Sequence, residues 1–233
     1  MTSASVAAAW VQARLGYQPR DATLFSAALT HRSAARPNNE RLEFLGDAVL
    51  NLSIARQLYD AFPAASEGDL SRLRARLVSR EPLAEVALDL GVGEVLRLGS
   101  GELKSGGFRR HSILADAFEA LCGAVFLDGG PQAVEPLLAR LFAPRIAALP
   151  PPEALKDAKT RLQELLQARS LGLPRYAVLD IAGEDHAQTF RVSCEVAALG
   201  LGVEGAGSSR RRAEQEAAAR MLERIAAQGA RAR

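Results

Sequence analysis

The stretch NNERLEFLGDAVLN, residues 38–51, decides how the larger part of the chain is read. At about 100° per residue in a helix, Glu40, Glu43 and Asp47 fall within roughly 60° of one another, and Asn51 continues the line. Nearby directions hold Phe44, Leu50 and Ile54, and the far side holds Leu42, Leu45, Val49 and Leu52. A helix apolar nearly all round belongs in a core, so the segment is expected to be buried with an acidic stripe along it. Removing a carboxylate from water is unfavourable by several kcal/mol unless a positive partner meets it, roughly as for other buried ions. An ordinary solvated face is therefore a poor account of these acids.

A second segment repeats the pattern. HSILADAFEALCGAVFLDG (111–129) carries Asp116 and Glu119, an i,i+3 pair on one side of a helix. Gly123 lies on the same stripe, with no side chain to hold another helix away. Two apolar helices with acidic stripes are expected to face one another, so that the acids converge. Like charges at that range cannot all ionise without a counter-charge. One source would be a salt-bridge network to Arg32, Arg41 or Arg72. The other is a metal ion. His31, His111 and His186 are scattered and the two cysteines are far apart, which argues against zinc. Oxygen donors alone suit Mg²⁺ or Mn²⁺. Metals held by carboxylates in a helical domain point to phosphoryl transfer with water as nucleophile.

Outward from these segments, patterned apolar helices are expected over 4–15, 21–29, 39–61, 67–90, 111–127 and 131–147. The breaks carry RPNN (36–39), GVG (91–93) and GSGELKSGG (99–107). ALPPPEALKD (148–157) then stops the helical pattern, because consecutive prolines make a stiff spacer. The expected organisation is an all-α domain over 1–148, a linker over 149–156, a small α+β domain over 157–227 and a polar tail over 228–233. In the small domain a helix (158–169) precedes strands over 175–181, 188–199 and 201–205, and a helix over 209–227 closes the order α-β-β-β-α. Phe190, Val192, Cys194 and Val196 alternate with Arg191, Ser193 and Glu195, the period of a half-buried strand. Ala213, Ala217, Met221 and Ile225 mark one face of the last helix.

A formal net charge of +2 leaves nucleic-acid affinity to local patches. One such patch is GAGSSRRRAEQEAAARML (205–222). Arg210, Arg211 and Arg212 in a first helical turn oppose the helix dipole. Together with free N–H groups they make a phosphate clamp. Double-stranded RNA is read by shape, through two minor grooves and the phosphates between them. Thr160, Gln163 and Glu164 on the first helix and His186 at the hairpin are the candidate flanking contacts. Cys122 and Cys194 cannot build a disulfide framework, which fits a reducing compartment. The start MTSASVAAAWVQARLG lacks a basic leader and is read as a first helix rather than a signal peptide. A soluble cytoplasmic protein is expected, with no membrane association and no organic cofactor.

NERLEFLGD (39–47) resembles the signature of the bacterial ribonuclease III family. THRS (30–33), EGDLSRLRARLV (67–78), LRLGSGELKSGGFRRHSILADAFEAL (96–121) and GAGSSRRRAEQEAAA agree with it. The resemblance implies a homodimeric, Mg²⁺-dependent endoribonuclease that cuts both strands of double-stranded RNA, with a role in processing ribosomal and other precursors. Its products would carry 5′-phosphates and short 3′ overhangs. It implies that Glu43, Asp47, Asp116 and Glu119 are the metal-binding carboxylates, with Asp47 and Glu119 catalytic. Glu40 and Glu67 match accessory acids, and Gly99 to Gly107 would lie near the RNA. Thr160, Gln163, Glu164, His186, Ser209, Arg210 and Arg211 match RNA-contacting positions. The pattern departs at Glu214, where many such domains carry Lys and where the basic cluster has shifted towards Arg212. A non-catalytic double-stranded-RNA-binding regulator is the alternative, though it gives no reason to keep the acids.

Overall fold

The structure is a computed structural model that describes residues 2–151, 156–184 and 188–231, with the backbone alone for 229–231. His186 and part of the proline linker lie outside the described residues. The chain divides into two compact units, Met1–Pro152 and Glu153–Arg233.

The first unit is helical. Around α7 (His111–Gly129) pack α2 (Ala22–Ala28), α3 (Glu40–Ala61), α5 (Arg80–Leu90) and α8 (Pro131–Ala147). α7 is central because its sequence is apolar on nearly every side: Ile113, Leu114, Phe118, Leu121 and Val125 are all buried. α1 (Ser3–Leu15) is capped by Thr2 and lies against α2. Asp128, near the end of α7, accepts hydrogen bonds from Tyr17 Oη at 2.7 Å and from the backbone N–H groups of Arg20 and Asp21 at 2.8 Å each. That ties the start of α2 to the central helix.

Residues 67–90 form two helices rather than the single one expected. α4 (Glu67–Val78) starts with a capping box in which Ser66 and Asp69 bond reciprocally. Ser79 then adopts an extended conformation, with φ −75° and ψ 163°, and α5 begins. Within GSGELKSGG, a short helix α6 (Ser100–Lys104) occupies part of the expected break.

A larger difference concerns α3. Leu42, Gly46, Leu50, Ile54 and Leu58 are buried as the pattern requires. Phe44 and Leu52, expected in the core, are 82% and 73% exposed, and Tyr59 is 70% exposed. Among the described residues of the first unit, nothing covers these three side chains. The apolar circumference of α3 is thus shared between a core-facing half and an open ridge.

The second unit has a three-stranded antiparallel sheet in the order β1-β2-β3: β1 (Arg175–Ala182), β2 (Thr189–Val196) and β3 (Leu201–Gly207). α9 (Ala158–Ala168) and α10 (Arg210–Arg231) pack together, with α10 laid against β2 and β3. Val192, Cys194 and Val196 are buried, and Phe190 is half-buried at the end of the same face. Leu162, Leu166, Ala217, Met221 and Ile225 complete this core. The strand expected over 188–199 stops at Val196, because a 3₁₀ turn (Ala197–Leu199) and the left-handed Gly200, with φ 59°, reverse the chain into β3. α10 runs to Arg231, past the helix end expected at 227 and into the expected tail.

Candidate active site and RNA-binding surface

The acidic site is set by how closely α3 approaches α7. Gly46 and Gly123 face each other at the crossing. A Cβ added at Gly46 would run into the carbonyl of Glu119, and one at Gly123 would run into the carbonyl of Leu42. The two helices therefore meet backbone to backbone, which neither could do with a side chain there. Glu43 sits one turn before Gly46 and Glu119 one turn before Gly123, so the contact places their carboxylates together. One oxygen each from Glu43, Asp116 and Glu119 lies within 4.8 Å of the others. Sequence reading had marked Gly123; Gly46 was missed, although it stands between Glu43 and Asp47 on the same stripe.

Asp47 and Glu40 stand at the edge of this group. Asp47 is exposed and accepts a hydrogen bond from Asn51 Nδ2 at 2.8 Å, yet its charge still acts on Glu119. Glu40 accepts from Asn38 Nδ2 at 3.2 Å and pairs with Arg32 at 3.6 Å. Glu67 begins α4 and accepts from Ser71 at 2.8 Å, outside the three-acid group. The convergence of four or more acids expected from the two stripes is thus three acids in mutual reach, with Asp47 and Glu40 flanking them. Among the described residues, Glu43, Asp116 and Glu119 form no ion pair. The salt-bridge network considered from the sequence does not neutralise them: Arg72 pairs with Asp69 at 2.8 Å, and Arg32 goes to Glu40.

Unneutralised acids in a half-buried site resist ionisation. Burial, then the charges of Asp47, Asp116 and Glu43, push Glu119 up to about 8. Burial first, then Asp116 and Glu40, raise Glu43 against a lowering influence of Arg32. Asp116 is raised by burial and partly relieved by Arg80, His31 and Arg32. All the donors of this group are hard carboxylate oxygens, the set that suits a small divalent ion.

A cleft of ≈ 510 Å³ opens beside the acids, lined among others by His31, Arg32, Asn39, Glu43, Arg110 and Asp116. The chain around THRS is held there by backbone pairing. Arg97 N–H donates to Leu29 at 2.8 Å, His31 N–H to Arg97 at 2.9 Å, and Asn39 N–H to Thr30 at 2.9 Å. Gly99 N–H donates to Ser33 Oγ at 2.9 Å, and a Cβ there would strike the Ser33 carbonyl. This anchors the segment from Gly99 to Gly107 at the rim, where Arg110 pairs with Glu102 at 2.9 Å. Asn39, Glu102 and Arg110 were not singled out in the sequence, since a lone amide and one ion pair carry no periodic signal. Of the other histidines, His111 pairs with Glu81.

In the second unit the basic cluster lies at the start of α10. Ser209 accepts from the backbone N–H of Arg212 at 3.3 Å, so this hydroxyl caps the helix. Arg210 and Arg211 are exposed. On α9, Asp157 caps the N–H of Thr160 at 2.8 Å, Gln163 is exposed, and Glu164 pairs with Lys156 at 2.7 Å.

A family model described as Ribonuclease-III-like matches residues 21–146, and one described as Double-stranded RNA binding motif matches residues 158–225. The chain belongs to the ribonuclease III family. Among curated relatives, Ribonuclease 3 of Alkalilimnicola ehrlichii is 55% identical over 92% of this chain and 94% of its own length. Ribonuclease 3 of Thiobacillus denitrificans is 58% identical over 89% of this chain and 92% of its own. The crystal structure of the nuclease domain of ribonuclease III from Campylobacter jejuni superposes with a TM-score of 0.57 at 38% identity, covering 61% of this chain and 97% of that one. As a member of the ribonuclease III family, the chain is an endoribonuclease with a double-stranded-RNA-binding domain. Among the described residues, no helix is long and apolar enough to cross a membrane.

Proposed function

We propose that this chain hydrolyses phosphodiester bonds in both strands of double-stranded RNA, with Mg²⁺ held by Glu43, Asp116 and Glu119 and with Asp47 acting at the edge of the same site. The observation that carries this reading is the cluster of three carboxylates, which form no ion pair among the described residues, at the Gly46–Gly123 crossing. A divalent ion bound there supplies charge for the scissile phosphate and lowers the pKa of attacking water. The chain's own residues do the rest. Glu43, Asp116 and Glu119 would hold the ion through their carboxylate oxygens, and Asp47, steadied by Asn51, stands exposed beside them. Glu40 and Glu67 are accessory: Glu40 restrains Arg32 at the cleft, and Glu67 starts α4.

The chain works as a homodimer in the cytoplasm. The open ridge of α3 supports self-association, and a related nuclease-domain structure from Campylobacter jejuni is described as having a region involved in dimer formation. Thr160, Gln163, Glu164, His186, Ser209, Arg210 and Arg211 contact the duplex, Ser209 chiefly by fixing the α10 start. The products carry 5′-phosphates and short 3′ overhangs, and ribosomal and other precursors are substrates. Mn²⁺ substitutes for Mg²⁺.

Glu119→Gln tests the site. It keeps the shape while removing a charged donor, so a long duplex RNA should still bind but remain uncut in Mg²⁺. Cleavage at near wild-type rate, with strand ends mapped to the same positions, would show that the metal is held elsewhere.

A further inference from the structure

The arginines at the start of α10 are followed by an acid, Glu214, which is only 9% exposed. Its carboxylate accepts from Lys159 Nζ at 2.7 Å and from Arg210 Nε at 3.0 Å. Burial alone would raise this carboxyl, but those two partners hold it below the usual range. Lys159 belongs to the first turn of α9, where its Nζ also lies 4.5 Å from the Tyr176 ring centroid. The neighbouring Gln215 side chain accepts from the Lys159 backbone N–H at 3.2 Å. That N–H is one of the donors a helix start leaves without an intrahelical partner. The beginning of α9 is therefore fastened to the beginning of α10 at two adjacent points.

We propose that Glu214 is a positioning residue for duplex RNA: it orients the Arg210 guanidinium towards a phosphate and fixes the spacing between the RNA contacts of α9 and α10. The inference rests on the reading, given above, that these two helix starts touch RNA. Geometry supports it in two ways. Engaging Arg210 through Nε holds the base of the fork while 65% of the side chain stays exposed. A guanidinium fixed in this way has less rotamer freedom to lose when a phosphate arrives. Shape recognition of a duplex also needs its groove and phosphate contacts at a set separation, and α9 carries Thr160 and Gln163 just beyond the fastened turn.

Charge counting predicts the opposite behaviour, which makes the proposal testable. Removing an acid from a surface that meets a polyanion should tighten binding if only net charge mattered. The full-length chain is titrated with a short blunt RNA duplex in EDTA, so that nothing is cut, across a series of salt concentrations. Glu214→Gln is expected to weaken binding about three- to tenfold, the scale of one ordinary hydrogen bond's net contribution, and to lower the magnitude of the salt slope by about 1. In an Arg210→Gln background the same change should cost clearly less than in wild type, because the part that acts through Arg210 is already lost and only the α9–α10 spacing remains to be disturbed. Unchanged or tighter binding by Glu214→Gln overturns the proposal, as does an equal loss in both backgrounds. Arg211→Ala is the control for the underlying reading. If Arg211→Ala and Arg210→Gln both leave binding intact, the α10 surface itself is misassigned. Should Glu214→Gln fail to fold, Arg210→Lys decides: a point charge held by Glu214 should bind RNA less well than the fork, and equal binding rejects the idea.

Discussion

Among the described carboxyl groups, Glu119 is where burial and like charge press hardest. Its carboxyl is pushed from 4.5 up to about 8. Between those values the folded, metal-free chain keeps a proton that the unfolded chain has lost, so stability falls as pH rises through this window. Glu119→Gln abolishes the titration. In chelator, its thermal midpoint should exceed wild type by about 2–4 °C at pH 8.5 and match it near pH 4.5. Scanning calorimetry at the two pH values checks this, and a difference that does not change with pH would contradict the assigned strain. Asp47 illustrates what sequence spacing conveys and what it leaves out. The spacing puts it on the stripe with Glu43, but the side chain turns to Asn51 and stays exposed.

At the scale of elements, the crossing of α3 and α7 brings the site into being. An alanine is ordinarily favoured over glycine inside a helix by about 1 kcal/mol. At Gly46 the added methyl meets the backbone of α7 instead of a pliable side chain. Gly46→Ala should therefore destabilise the fold by about 1–3 kcal/mol and reduce cleavage by spreading the carboxylates. Gly101→Ala, in α6 with open space around its Cβ, should be neutral or slightly stabilising. Urea denaturation of both variants gives the comparison, and similar behaviour at the two positions would refute the close-approach argument. The division of 67–90 into α4 and α5 belongs to this scale as well. Apolar periodicity continues through Ser79, so the break was invisible to it; Ser79 is the α4 C-cap, and its extended backbone allows α5 to set off in its own direction to pack against α7.

At the scale of the whole molecule, the open side of α3 is the main unfinished surface of the first unit. Phe44, Leu52 and Tyr59 fall within roughly 80° of each other on the helix, each at least 70% exposed. Beside Phe44 lies an apolar hollow of ≈ 700 Å³, with Leu45 and Leu127 on its wall. A ridge and a hollow on the same face are what a two-fold self-association can use, since the same patch serves both partners. If the proposed homodimer forms through this patch, wild type should sediment as a dimer at micromolar concentration and Phe44→Asp as a monomer, as followed by sedimentation velocity. A variant that sediments like wild type would remove this surface from the dimer reading. The exposure of Phe44 and Leu52 also explains the one substantial misreading of the sequence. An apolar position says that water is to be excluded, but it does not say whether the same chain or another copy excludes it.

Local covalent geometry made several features legible in the sequence by itself. Helical spacing put Glu43 with Asp47 and Asp116 with Glu119 on single faces, strand alternation marked Val192, Cys194 and Val196 as inward, and three prolines marked the change of unit. The resemblance carried by NERLEFLGD named the family that the comparisons then showed. Tertiary structure alone decided which faces met. It chose the Gly46–Gly123 contact, gathered three of the acids and left Asp47 and Glu40 at the edge. It also paired Glu214 with Lys159 and Arg210. The physical reason is range: a periodic pattern is fixed by bonds between neighbours in sequence, whereas the partner of a face is chosen by packing and charge among residues far apart in the chain.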